Sequence, residues 1–162
     1  MSTDTATIPA VPVITITRIL NAPRERVFAA WTQPELICKW FGPTLDSQCE
    51  AEVDLRVGGS YAIQVNGMNG IRRTIYGKYT EILPPSRLAM TWNLSGLSDA
   101  DGSLVTVELR ECNGKTELTV IHAQLTNEQM RNAATQGWNA GLNKMVRLFD
   151  PTAVVDATPL PG

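Results

Sequence analysis

His122 is the only histidine in the chain, and imidazole takes up and releases a proton near neutral pH without help from its surroundings. It ends the run Leu118-Thr119-Val120-Ile121-His122 and shares a face with Leu118 and Val120. One reading is a proton-transfer group on a strand's inner face; the plainer one is a core histidine held by hydrogen bonds. A dyad would recruit Glu81 or Glu108, of which Glu108 falls on the outward side of its own alternation. A metal site needs three or four converging ligands. One histidine with no thiol at ligand spacing does not supply them, so neither metal nor cofactor is expected. Nucleophilic catalysis lacks its Gly-x-Ser-x-Gly elbow. Gly58-Gly59 lies between two strands, without the helix N-terminus that makes such a loop bind phosphate.

Aromatic and sulfur-bearing residues at regular spacing carry the stronger signal. Ligand pockets are mostly apolar, with a few placed polar groups, and an indole or phenol in the wall can orient a guest by one hydrogen bond. Trp138 is the leading candidate, because it sits mid-stripe on the last helical segment beside Gly137 and Gly141. Leu142 and Met145 continue that stripe. Tyr61, Ile63, Tyr79, Met90 and Trp92 recur at period two on candidate inward faces, and His122 joins them. Trp31, on a short helix, completes the candidate cavity set. For any one ring, plain core packing is the competing explanation.

The element that must position these groups runs from Thr126 to Phe149. Met130, Ala134, Gly137, Trp138, Gly141, Leu142, Met145, Leu148 and Phe149 recur at spacings of three and four, one apolar stripe on a helix of roughly 36 Å. Thr126 and Gln129 read as a capping box, Lys144 and Arg147 suit the negative end of the dipole, and Pro151 stops the helix. Upstream, Val13–Leu20 is β-branched and extended. Asn21-Ala22-Pro23 ends it and opens a helix with Pro23 at its first position, and Gln33-Pro34-Glu35 opens a second, closed by Gly42-Pro43. From Ser47 to Ala123 the chain alternates, punctuated by Gly58-Gly59, Asn66-Gly67, Pro84-Pro85, the polar stretch 96–102 and the tight Asn113-Gly114 hairpin. One strand, two short helices, six strands and one long helix predict an α+β fold. Its seven-stranded antiparallel sheet must curve round the single long helix to cover its apolar face. Residues 1–12 and 151–162 read as flexible tails around one domain at 13–150.

Composition bounds the function. The chain has 162 residues, 43% of them hydrophobic and 19% charged, with a net charge of −2. That is ordinary for a soluble domain, and without a basic cluster it argues against nucleic acid or an anionic membrane as partner. No apolar run reaches the length of a bilayer span, and the first ten residues hold Asp4 but no Lys or Arg. Cys38, Cys49 and Cys112 are an odd set without CxxC spacing. They read as free thiols in a reducing cytoplasm.

Several fragments, in this order and spacing, resemble the activator of heat-shock-protein-90 ATPase homologue-like family. They are Ile19-Leu20-Asn21-Ala22-Pro23 through Val27-Phe28-Ala29-Ala30-Trp31-Thr32, Pro34-Glu35-Leu36 before Trp40-Phe41-Gly42-Pro43, and Arg56-Val57-Gly58-Gly59 before Tyr61. The likeness continues through Gly77, the stretch Glu81 to Leu88, Thr91-Trp92, Leu118 to His122 and Gly137-Trp138. The family belongs to the START-like, helix-grip superfamily, so the resemblance implies a cavity between sheet and long helix. It says less about activity, because this fold hosts many functions. The expected role is binding of a small hydrophobic or aromatic molecule. Second comes a cyclase- or hydrolase-type enzyme with His122 as acid or base. Third is a chaperone partner: the eukaryotic ATPase stimulators carry an additional N-terminal domain, whereas 12 residues precede the first strand here.

Overall fold

The computed structural model describes residues 13–42, 48–66, 72–94, 103–125 and 128–152. Seven strands follow the expected order: β1 (Ile14–Leu20), β2 (Cys49–Val53), β3 (Ser60–Asn66), β4 (Arg72–Leu83), β5 (Arg87–Leu94), β6 (Ser103–Cys112) and β7 (Lys115–Ala123). Helices α1 (Arg24–Thr32) and α2 (Pro34–Trp40) interrupt them after β1, and α3 (Glu128–Phe149) follows β7. The strands form one antiparallel sheet in the order β1-β7-β6-β5-β4-β3-β2. This is the α+β helix-grip architecture that the alternation and the single long helix imply.

Register explains the core. Ile16, Val120, Val107 and Leu88 stand opposite one another across four strands, and all are buried. The next inward row runs Ile14, His122, Val105, Met90 and Tyr79. His122 therefore enters the core by the same period-two rule that buries its apolar neighbours. The outward row carries charge: Arg87 binds both Glu81 and Glu108. Those carboxylates lie on the sheet face away from the imidazole, which removes the proposed dyad. Asn113 and Gly114, at φ 54° and 81°, make the expected hairpin turn.

Between β4 and β5 the chain departs from a regular ladder. A Cβ on Gly77 would collide with the Thr91 carbonyl, so only glycine allows the two strands this approach. The ladder lapses there, and its groups find other partners. Tyr61 Oη donates to Thr91 O at 2.6 Å and the Lys78 amide donates to Thr91 Oγ1 at 2.9 Å. Tyr61→Phe is therefore expected to cost about 1–2 kcal/mol, because it strips a half-buried carbonyl of its donor; urea unfolding measures the loss.

Helix α3 lies closest to β1 and α2. Arg18 reaches from β1 to Asn139 Oδ1 at 2.6 Å, and Lys144 donates to the carbonyls of Phe41 and Gly42 at the end of α2. Trp40 Nε1 donates to Ala30 O at 2.8 Å and fixes α2 on α1. The helix thus leans toward one edge of the sheet.

Some local expectations shift. Pro23 is the N-cap of α1, extended at ψ 159°, and Arg24 opens the helix. Strand β2 is shorter than 47–55. Thr126 of the capping box, residues 1–12 and 153–162 of the tails, and the whole polar stretch 96–102 after β5 lie outside the described residues. The thiols are a correction. Packing of α2 against β2 brings the Cα atoms of Cys38 and Cys49 to 5.3 Å, and the two form a disulfide, leaving Cys112 free. A spacing rule could not see this pair, because the contact is tertiary. The bond also removes the thiol-based ground for a reducing cytoplasm. Among the described residues no helix is long and apolar enough to cross a membrane.

A cavity under the first half of the long helix

The stripe on α3 divides in two. Leu142 and Met145 in its second half are fully buried against the core. In the first half the small residues Ala133, Ala134 and Gly137 border a cavity of about 390 Å³, open to one side, which Met130 and Trp138 of the same helix also line. A Cβ on Gly137 would meet nothing within 4 Å, whereas one on Gly141 would press on Trp40 Cε3 at 3.2 Å. Gly141 lets α2 approach the helix, and Gly137 borders open space. The long walls are aromatic: Trp40 and Phe41 from the end of α2, Trp92 from β5 and Trp138 from α3. Trp92 and Trp138 lie 4.9 Å apart between ring centres, and Phe41 is 6.0 Å from Trp92.

The polar groups of this wall are engaged with one another. Trp138 Nε1 can only donate, and it does so to His122 Nδ1 at 3.0 Å. That nitrogen therefore carries the lone pair and Nε2 carries the proton, directed to Ser103 Oγ at 3.1 Å. The Ser103 hydroxyl in turn donates to the Trp92 carbonyl. Burial pushes the His122 pKa down to about 4, so the ring is neutral at physiological pH. A neutral imidazole with both nitrogens occupied orients Trp138; it is not poised to move a proton. Tyr61 is likewise engaged at Thr91, and burial raises its pKa, while that of Tyr79 is pushed up to about 12. The geometry does not assemble the acid and base that an enzyme reading assigns to His122 and a pocket tyrosine.

Of the residues singled out from sequence, Trp92, His122 and Trp138 lie on the cavity wall. Trp31, Tyr61, Ile63, Tyr79, Met90, Leu142 and Met145 pack in the adjoining core. Trp31 stacks behind the wall, 4.6 Å from Trp40 and 5.8 Å from Trp138, with its Nε1 buried and unpartnered. Tyr61 and Tyr79 form their own pair at 5.4 Å. All share the inward face, but alternation tells a face and not a depth. Sequence reasoning missed Trp40, Phe41 and Ser103 as wall residues, and it missed Arg73, the one charged residue among the described residues of the lining. Arg73 follows from the alternation Arg73, Ile75, Gly77, Tyr79 once Tyr79 is set inward.

The model of the "Activator of Hsp90 ATPase homolog 1-like protein" family matches residues 21–150. The chain belongs to that family. Solved structures agree. CalU16 from Micromonospora echinospora is 32% identical over 90% of this chain and 82% of its own, with a TM-score of 0.68. Protein CV1439 from Chromobacterium violaceum is 26% identical, covering 86% and 97%, with a TM-score of 0.78. An AHSA1-like protein from Aeromonas hydrophila shares the fold at 24% identity and a TM-score of 0.70, covering 84% and 90%. No curated protein matches the chain. Membership in the Hsp90 ATPase activator homologue-like family accounts for the START-like topology, and the site's chemistry has to be argued from its own residues.

Proposed function

We propose that this member of the family binds a small apolar or aromatic molecule between the concave sheet and the first half of α3. The observation that carries the reading is the cavity itself. Its volume of about 390 Å³ falls within the roughly 300–1,000 Å³ of small-molecule sites. Its walls offer indole and phenyl surface, and the polar atoms of Trp138, His122 and Ser103 are satisfied without a guest. Burial of ring surface against Trp92 and Trp138 supplies the affinity, and the bare Gly137 supplies the room.

The test uses naphthalene-1-acetamide, a neutral bicyclic probe, titrated with calorimetry and intrinsic tryptophan emission. One site per chain, a Kd of roughly 10 µM to 1 mM for a ligand of this size, and a change in emission are expected. An absence of heat and of any emission change up to the solubility limit contradicts the reading.

A further inference from the structure

Arg73 is at odds with its surroundings. It sits on the inward face of β4, opposite Val65 on β3 and two residues from Ile75. Both neighbours are buried apolar residues of the same cavity wall. Arg73 is partly buried, and a guanidinium lying along apolar surface gains from an anionic partner. The other arginines of the sheet have side-chain partners. Arg18 holds Asn139, Arg87 holds Glu81 and Glu108, and Arg110 holds Glu117. Arg72, adjacent in sequence but facing outward, binds Glu50 and Gln64. The Arg73 guanidinium makes no hydrogen bond or ion pair among the described residues. Among the described residues of the cavity lining there is no carboxylate to meet it.

Given a cavity ligand, as proposed above, we infer that the guest is an acid: a small aromatic or aliphatic monocarboxylate. Its apolar body lies against Trp92 and Trp138, and its carboxylate meets Arg73 at the cavity wall. A planar guanidinium matches a carboxylate with two parallel N–H donors. Arg73 is the one cation among the described lining residues, which suits a guest with one negative charge.

The experiment compares naphthalene-1-acetate, its amide and 1-naphthylmethylamine: one ring system with an anionic, a neutral and a cationic head. For the wild-type protein the acid is expected to bind about tenfold more tightly than the amide, the scale of one charge-assisted pair, and the amine more weakly than either. Raising salt should shrink the acid's advantage. Arg73→Gln should bring the acid-to-amide ratio to within twofold of one, and Arg73→Lys should retain part of it. Because the readout is a ratio within one folded variant, a general loss of stability does not imitate it. An equal Kd for acid and amide in the wild type overturns the anion inference and leaves the cavity reading standing. So does a ratio that survives Arg73→Gln. Failure of all three probes to bind removes both.

Discussion

Gly137→Trp is expected to weaken binding of naphthalene-1-acetamide at least about 100-fold while the melting temperature stays within a few degrees of wild type. Gly137 lies on the cavity wall, and a Cβ there meets open space. An indole built outward from it competes for the volume that the probe needs. The substitution opposes no packed neighbour, and within a helix most side chains improve on glycine by about 0.3–0.5 kcal/mol for an aromatic. The two effects therefore separate: stability holds and affinity collapses. Titration calorimetry and thermal unfolding on the same preparation measure both. Undiminished affinity in the variant places the guest elsewhere. Gly141 is no substitute for this test, because Trp40 already stands against it at contact distance.

The second large effect is on stability and follows from His122. Burial holds its folded-state pKa at about 4, below the roughly 6.5 of an exposed histidine. Between those values the unfolded chain binds the proton and the folded chain does not. Stability from this group is complete above about pH 6.5, falls as pH drops, and is lost once pH passes below about 4, a total of about 3 kcal/mol. Protonation also places a donor on Nδ1, where Trp138 Nε1 already donates, so the charged ring opposes the bond that positions the indole. The measurement is urea unfolding at pH 7 and pH 4.5 for wild type and His122→Gln. The variant should be less stable at pH 7 and should show a shallower decline, since it shares every carboxylate titration but lacks the imidazole. Parallel declines in the two proteins contradict the assignment.

Where the physics is local, the chain could be read directly. The period-two runs of β5, β6 and β7 follow from one buried face, and Asn113-Gly114 takes the positive φ that its hairpin requires. The α3 stripe follows from its 3.6-residue repeat. Trp138 stood out because its ring is flanked by glycines on the same stripe, and the wall includes it. What escaped was set by tertiary placement. Cys38 and Cys49 meet because α2 packs on β2. Tyr61 turns its hydroxyl to Thr91 because the β4–β5 ladder lapses beside Gly77. The division of the inward face into packed core near Leu142 and Met145 and open cavity near Gly137 depends on how α3 leans toward β1, which Arg18 and Lys144 fix through distant partners. Arg73 was accessible through alternation, but its meaning needed the knowledge that its neighbour Arg72 has side-chain partners among the described residues and Arg73 has none there.

The most direct measurement is a crystal structure of the protein grown with naphthalene-1-acetamide. The account expects the bicyclic ring between Trp92 and Trp138, beneath Gly137, with the Trp138–His122–Ser103 chain of hydrogen bonds unbroken. A ring found on the outer face of the sheet, or a chamber closed by Phe41 and Trp138 collapsing onto each other with no guest inside, contradicts it.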